Sequence, residues 1–247
     1  DVVQCNAGDT LKYAVLSKLI FGWNSSIIAR NASTVSGYIK SKSTKKINEF
    51  LYSKTDAIIS VSEHSKKDLN QLFPATKNKT TVIPIGVEKE IINKVDWKEV
   101  DKASFNIIHV GGFTFEKNHK GLLNIWKLFL KEQPDAKLHL FGDGPLREEI
   151  ENLVNSEDLQ SSVIFYGWVA NPLDYIAKAD VLVLPSIIEG LPGVLLEAMY
   201  CKTIVVANNV GGISEIIIPN ETGFLAEKGD EEAFASLMKK AIDLNTN

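Results

Sequence analysis

The sequence predicts an α/β protein of two Rossmann-like domains with parallel sheets, the N-terminal domain incomplete. Three observations carry that expectation. Short β-branched runs alternate with amphipathic segments of about 8–14 residues, the pattern of βαβ units. The alternation forms two series, separated by an irregular charged stretch from Pro84 to about Ser104. Several of the loops that follow strands carry glycine, as strand-to-helix turns in such sheets do. The expected division is residues 1–88, a connector over 89–104, and residues 105–247.

In the first series, strands are expected over residues 1–3, 26–30, 57–61 and 80–83, with helices over 10–20, 44–52 and 64–72. Ser62 precedes the last helix as an N-cap, where a hydroxyl satisfies a free backbone N–H. The opening DVVQC reads as a strand already under way, which predicts further sequence before it. In the second series, strands are expected over 106–110, 137–141, 163–166, 180–184 and 203–206. A helix over 121–131 places Leu122, Trp126, Phe129 and Leu130 on one stripe, the spacing of a core-facing side. Pro145 is expected to open another helix, where its missing N–H costs little.

Bulk properties narrow the class. The 247 residues are 45% hydrophobic and 23% charged, enough for one large or two modest cores. No apolar run approaches the roughly 18–20 residues needed to span a bilayer. Two cysteines, Cys5 and Cys201, are too few for a disulfide scaffold and point to a reducing, cytoplasmic setting. Charge is uneven: residues 1–103 carry 16 Lys+Arg against 11 Asp+Glu, whereas residues 104–247 carry 11 against 20. A basic first half suits an acidic partner such as lipid headgroups or a phosphorylated acceptor, and equally two ordinary solvated surfaces. The basic, aromatic stretch 38–54 has the same two readings, a membrane contact or an ordinary amphipathic helix.

Ligands in such sheets sit at the carboxyl ends of strands, so chemistry is sought in the loops that follow them. After the strand expected over 180–184 comes Ile187-Ile188-Glu189-Gly190-Leu191-Pro192-Gly193, then a helix that includes residues 194–200. A glycine-bearing loop at a helix N-terminus presents backbone N–H groups and a positive dipole end, a site suited to a diphosphate. Pro192 has no N–H, which leaves the amides of Gly190, Leu191, Gly193, Val194 and Leu195. Glu197 lies about one turn into that helix, and its side chain leans back toward Glu189. Two carboxylates beside a phosphate cradle make sense as acceptors for sugar or ribose diols. The plainer reading is one solvated loop charge and one exposed helix residue.

The loop Gly111-Gly112-Phe113-Thr114-Phe115-Glu116-Lys117-Asn118-His119-Lys120 combines paired glycines with two lysines ahead of a helix. Lysine supplies a point charge against phosphate; the alternative is a soluble surface loop. Gly142-Asp143-Gly144-Pro145 reads as a tight strand-to-helix turn, and Gly211-Gly212 and Thr222-Gly223 as further turn devices. No P-loop, nucleophile elbow, Cys-x-x-Cys or Asp-x-Asp occurs. The four histidines are scattered without metal-ligand spacing, and His109 and His139 read as packed strand residues. The expectation is therefore no metal, no further cofactor and no nucleic-acid partner.

From residue 106 to 243 the chain resembles the donor-binding domain of retaining glycosyltransferases of family four, which have the GT-B fold; it is similar to bacterial group 1 polysaccharide-type enzymes. The segment EGLPGVLLEAM carries the family's paired glutamates, and GDGPLREEIE, VIFYGWV and VGGISEII stand where its other blocks stand. AIISVSEHSKKDL and VIPIGVE look like the closing blocks of the acceptor-side domain, whose opening strand and glycine-rich loop are not present. The resemblance implies that Glu189 contacts the transferred sugar, Glu197 the ribose diol and Lys117 the diphosphate, with the backbone around Val169 reading the base. It departs from the family at Gly112, where arginine is usual and whose charge Lys120 would partly replace, and at Ile85, where asparagine is common before the hinge glycine Gly86.

The activity implied is transfer of a sugar from a nucleoside diphosphate sugar to an acceptor hydroxyl with retention, in surface polysaccharide or glycolipid synthesis. The acceptor would be a saccharide or lipid-linked, at the inner face of a membrane. Two rival readings are a donor-binding scaffold subunit and a non-hydrolysing sugar-nucleotide epimerase.

Overall fold

Two parallel sheets organise the described residues of the computed structural model, 1–6, 8–87 and 104–245. The expected connector over 89–104 lies outside them except for Ser104. By contacts, one unit holds Asp1–Ile85 and Ile188–Leu191, the other the described residues of Gly86–Ile187 and Pro192–Asn247.

The first sheet comprises β1 (Val2–Cys5), β2 (Ser26–Asn31), β3 (Ala57–Ser60) and β4 (Thr80–Val82), in the order β1-β2-β3-β4. Helices α1 (Gly8–Phe21), α2 (Lys42–Ser53) and α3 (Glu63–Leu72) connect them. Serines start two of these helices: Ser41 Oγ accepts from the Thr44 N–H at 3.1 Å, and Ser62 Oγ from the Ser65 N–H at 3.0 Å. The end of α2 is closed by Lys79, whose ammonium donates to the carbonyls of Tyr52, Ser53 and Thr55 at 2.8, 3.1 and 2.7 Å. Along β2, Ile27, Ala29 and Asn31 are buried and alternate with less buried Ile28 and Arg30, so one face of this sheet carries the core. Ile27 and Ala29 pack with Leu11, Val15, Leu51, Tyr52, Ile58, Leu69 and Phe73. On α1, Tyr13, Leu19, Ile20 and Phe21 are exposed.

The second sheet comprises β5 (Asn106–Val110), β6 (Lys137–Phe141), β7 (Val163–Gly167), β8 (Val181–Leu184), β9 (Ile204–Asn208) and β10 (Phe224–Ala226), in the order β10-β9-β8-β5-β6-β7. Its helices are α4 (His119–Leu130), α5 (Arg147–Ser156), α6 (Leu173–Ile176), α7 (Gly193–Tyr200) and α8 (Glu231–Asn245). Both faces are covered, which is why β8 reads VLVL without polar alternation. Val181 and Val183 face a core with Trp126, Phe129, Phe234 and Met238, while Leu182 and Leu184 face a second one with Leu195, Val205 and Ile213. Trp126 is fully buried, and its indole N–H donates to Ser162 Oγ at 3.0 Å.

The fold class is as the sequence predicts: α/β with two parallel sheets. The elements expected over 1–3, 64–72 and 203–206 are found, shifted by one or two residues, at β1, α3 and β9. Pro145 does not open α5. It lies in a turn, and the helix starts at Arg147 because the first i→i−4 bond is from the Ile150 N–H to Leu146 O at 3.1 Å. α6, α8 and β10 went unforeseen; the first and last are only four and three residues long, too short for a hydrophobic period to register.

Candidate functional site

The order of the second sheet reverses between β5 and β8, and a ligand crevice forms at the carboxyl ends of strands where such a reversal occurs. Two loops leave the sheet there. The first runs from Gly111 through a 3₁₀ turn, Phe115–Lys117, into α4; the second is Pro185-Ser186-Ile187.

Glycines set the path of the first loop. The Gly111 N–H donates to Phe141 O at 2.9 Å, and the Phe113 N–H to Asp143 O at 3.0 Å, which laces the loops after β5 and β6 together. Gly142 and Gly144 have φ of +129° and +159°, and a Cβ on either would lie 2.1 Å from Gly111 O or 2.7 Å from Phe113 O. Both positions are therefore closed to any side chain. Gly112 differs: a Cβ there would meet Asp143 O at 3.4 Å and Thr114 Cγ2 at 3.7 Å, ordinary contacts. The arm of Lys117 runs over Gly111, with its Cδ and Cε 3.3 and 3.4 Å from where a Cβ of that glycine would sit. Lys120 instead forms an ion pair with Glu149 on α5.

Asn118 follows Lys117 in the left-handed region, φ 56° and ψ 47°. Its side chain works in two directions: Oδ1 accepts from the Gly121 N–H at 3.3 Å, capping α4, and Nδ2 donates to Pro185 O at 3.2 Å. The Ile187 N–H donates to Glu116 O at 2.8 Å, a second tie between the two loops. From the other side, Asn208 Nδ2 donates to Pro185 O and Ser186 O at 2.9 and 3.2 Å.

Two imidazoles ten positions apart in the sequence come together beside this loop. His109 and His119 meet edge-to-face with centroids 4.8 Å apart, and His119 stacks on Phe113 at 4.0 Å. Val183 O is 2.9 Å from His109 Nδ1; a carbonyl only accepts, so the proton is on Nδ1 and Nε2 carries a bare lone pair. Nε2 of His109, both nitrogens of His119 and the Ser186 hydroxyl are buried without a hydrogen-bond partner among the described residues. Burial holds His109 down at about 4 and His119 at about 2, with the Lys117 charge adding to both. His139 is the packed strand residue expected, bonded to Asn106 Oδ1 and the Tyr166 hydroxyl at 3.0 Å each. Among the described residues, no group of three or more His, Cys, Asp or Glu side chains is arranged to hold a metal.

α7 starts at Gly193 behind Pro192, with no side-chain cap and no acidic residue in its first turn. The Leu195 N–H turns inward to Pro192 O at 3.2 Å, and its side chain is fully buried, whereas Gly193 and Val194 are half-buried. Glu197 is half-buried on this helix, and burial pushes its carboxyl up from the usual range. Val169 packs against the second core just after Trp168, which is 76% exposed. The registers of β6 and β7 slip between Leu140 and Phe141, so Phe141 pairs with Gly167 and the chain turns there at φ +72°.

Glu189, Gly190 and Leu191 group with the first unit. Glu189 is buried, with its carbonyl accepting from Thr34 Oγ1 at 2.7 Å. A Cβ on Gly190 would lie 2.1 Å from Ala32 O, so this glycine is required by a close backbone approach.

The chain matches the sequence profile of the family described as glycosyl transferases group 1 over residues 91–246. It is similar to the N-acetylgalactosamine-N,N'-diacetylbacillosaminyl-diphospho-undecaprenol 4-alpha-N-acetylgalactosaminyltransferase of Campylobacter jejuni, 27% identical over 94% of this chain and 64% of the relative. It is also similar to the UDP-Gal:alpha-D-GlcNAc-diphosphoundecaprenol alpha-1,3-galactosyltransferase of Escherichia coli, 32% identical over 67% of this chain and 46% of the relative. The chain thus spans about half to two thirds of the length of these relatives. In fold it is similar to Anabaena HepE in complex with UDP-glucose, with a TM-score of 0.86, 20% identity, and coverage of 100% of this chain and 70% of that one.

Proposed function

Since the chain belongs to the group 1 glycosyl transferases, we propose that the protein of which it is part moves a sugar from a nucleoside diphosphate sugar to an acceptor hydroxyl, with retention, in polysaccharide or glycolipid synthesis. The observation that carries the proposal is the reversal point of the second sheet. There Lys117 is arched over Gly111, and α7 begins in the same unit without a cap or an acidic first turn. A departing diphosphate needs fixed positive charge and N–H donors, and both kinds are present.

In this reading Lys117 and the amides of Gly193 and Val194 hold the diphosphate, Glu197 takes the ribose diol, Glu189 contacts the transferred sugar, and the backbone at Val169 meets the base. Burial raises the pKa of Glu197, as partial removal of a carboxyl from water does, and leaves it half-buried on the same helix as the amides of Gly193 and Val194. No resident metal is assigned, because lysine and helix-end amides supply the charge stabilisation. The two bacterial relatives have lipid-diphosphate acceptors in their names, and a lipid-linked acceptor is proposed here too. Exposed Tyr13, Ile20 and Phe21 on α1, with the lysines of residues 38–54, support peripheral membrane contact of the first unit. No described helix is long and apolar enough to cross a membrane.

The test uses the full-length protein with a panel of nucleoside diphosphate sugars, with and without lipid-linked acceptors, in buffer with EDTA or magnesium. Acceptor-dependent nucleotide release that survives EDTA, with the anomeric configuration kept in the product, is expected. Epimerised donor without acceptor, or nucleotide binding without turnover under every acceptor, would replace the proposal by one of its two rivals.

A further inference from the structure

We infer that Asn118 is a positioning residue for the diphosphate-binding lysine, setting Lys117 against the loop that follows β8. The inference rests on the assignment of Lys117 to the diphosphate. Lys117 sits on a single 3₁₀ turn, which is weak by itself because such turns are short and their hydrogen bonds poorly aligned. Asn118 holds that turn at both ends of its own side chain. Its Oδ1 fixes the start of α4, and its Nδ2 reaches across the reversal point to Pro185 O.

Three features make the amide specific. The backbone is left-handed at Asn118, a conformation that asparagine and glycine tolerate best, but glycine has no side chain to reach Pro185. Gly121 has no Cβ because one would fall 2.3 Å from Asn118 Nδ2, so the helix makes room for this amide. Pro185 O also accepts from Asn208, so the β8 loop is held from two sides and is a firm reference for the lysine turn. A lysine ammonium is a point charge without directional fork, so its effect on a diphosphate depends on where its backbone is held.

The substitution N118D separates the two halves of the amide. Aspartate keeps the cap on Gly121 and tolerates the backbone, but places a carboxylate oxygen where the donor to Pro185 O stood. G121A disturbs the same amide from the opposite side. The full-length wild type, N118D, G121A, K117M and the N118D/K117M double variant are titrated calorimetrically with UDP, GDP and ADP, with thermal unfolding followed in parallel. Expected are wild-type binding of one of these nucleotides, and loss of roughly tenfold in affinity in N118D and G121A, the scale of a misplaced binding group. In the K117M background, N118D is expected to have no further effect, because the asparagine acts through the lysine. An N118D chain that binds like wild type while K117M is weakened overturns the positioning role and leaves the donor assignment standing. Equal losses from N118D in both backgrounds reduce Asn118 to a structural cap and also overturn it. K117M binding as tightly as wild type, or no nucleotide bound by the wild type, overturns the donor assignment itself. Should N118D unfold, G121A measured alone and in the K117M background carries the same comparison.

Discussion

The two sheets use the same βαβ grammar with different consequences. In the first, neighbouring strands follow chain order throughout, β1-β2-β3-β4; in the second the order reverses between β5 and β8. At the sheet ends of the first unit, polar side chains bond to one another and to backbone. Asn31 Nδ2 donates to Ser65 O at 3.0 Å and to Ser60 Oγ at 3.2 Å, and Ser62 caps α3. At the reversal point of the second, buried polar atoms of His109, His119 and Ser186 have no hydrogen-bond partner among the described residues. Satisfied polar groups hold a fold together, whereas buried ones that meet no protein partner take one from solvent or ligand. Among the described strands, the reversal of order is what distinguishes the second sheet, and the loops bearing Lys117 and Pro185 leave the sheet at that point.

Two lysines break or sharpen this comparison most directly. K117M is expected to lower donor turnover about 10²–10³-fold, the scale of losing one preorganised charge donor, with little change in unfolding temperature. K79M should do the reverse, leaving nucleotide affinity intact and destabilising the first unit by about 2 kcal/mol, because three carbonyls lose a charged donor. Urea unfolding together with steady-state kinetics checks both. G142A is expected to destabilise by roughly 2–3 kcal/mol, since its Cβ meets the Gly111 carbonyl in a left-handed backbone. A G142A chain of wild-type stability would show that the laced loops are dispensable.

Acid should act on the second unit through its histidines. Burial holds His109 and His139 at about 4 and His119 at about 2 in the folded chain, against 6.5 for an ordinary imidazole. Below 6.5 the unfolded chain takes up protons that the folded chain refuses, so stability is full above that pH and falls as pH drops toward 4. By pH 5 each buried imidazole costs about 1–2 kcal/mol. Thermal unfolding between pH 8 and 5 checks this, and H139N, which removes a titrating ring, should flatten the slope. The smallest effect is expected from G112R, where contacts at 3.4 Å or more leave room for a side chain. An added guanidinium beside the lysine loop should tighten nucleotide binding about two- to fivefold, a gain of roughly 0.4–1 kcal/mol for a partly exposed charge pair.

Much of the fold was legible because parallel strands buried on both faces leave continuous apolar runs: IIHV in β5, LHLF in β6 and VLVL in β8. Lys117, Glu189 and Glu197 stood out for the same kind of reason, a charge set among glycines after a strand. Strand order was not legible, because the reversal is a property of pairing and no local pattern records it. Nor was the meeting of His109 and His119, ten positions apart across an irregular loop, which only the turn at Asn118 brings about. Asn118 itself looked like one more polar loop residue. A reader of sequence could have stopped at Asn118-His119-Lys120-Gly121, where an N-cap residue precedes a glycine three positions on, and asked what the glycine makes room for.

The slipped register beside Gly167 has an optical consequence. It leaves Trp168 with 76% of its surface exposed, while Trp126 is enclosed in the core beneath the same sheet. The two indoles therefore emit from opposite solvent environments. With Trp23 and Trp97 replaced by phenylalanine, acrylamide, which quenches exposed indole, should dim the red component of the emission and spare the blue. A nucleotide that settles against the loop after β7 would then announce itself as protection of that red component alone, a readout that needs neither label nor acceptor.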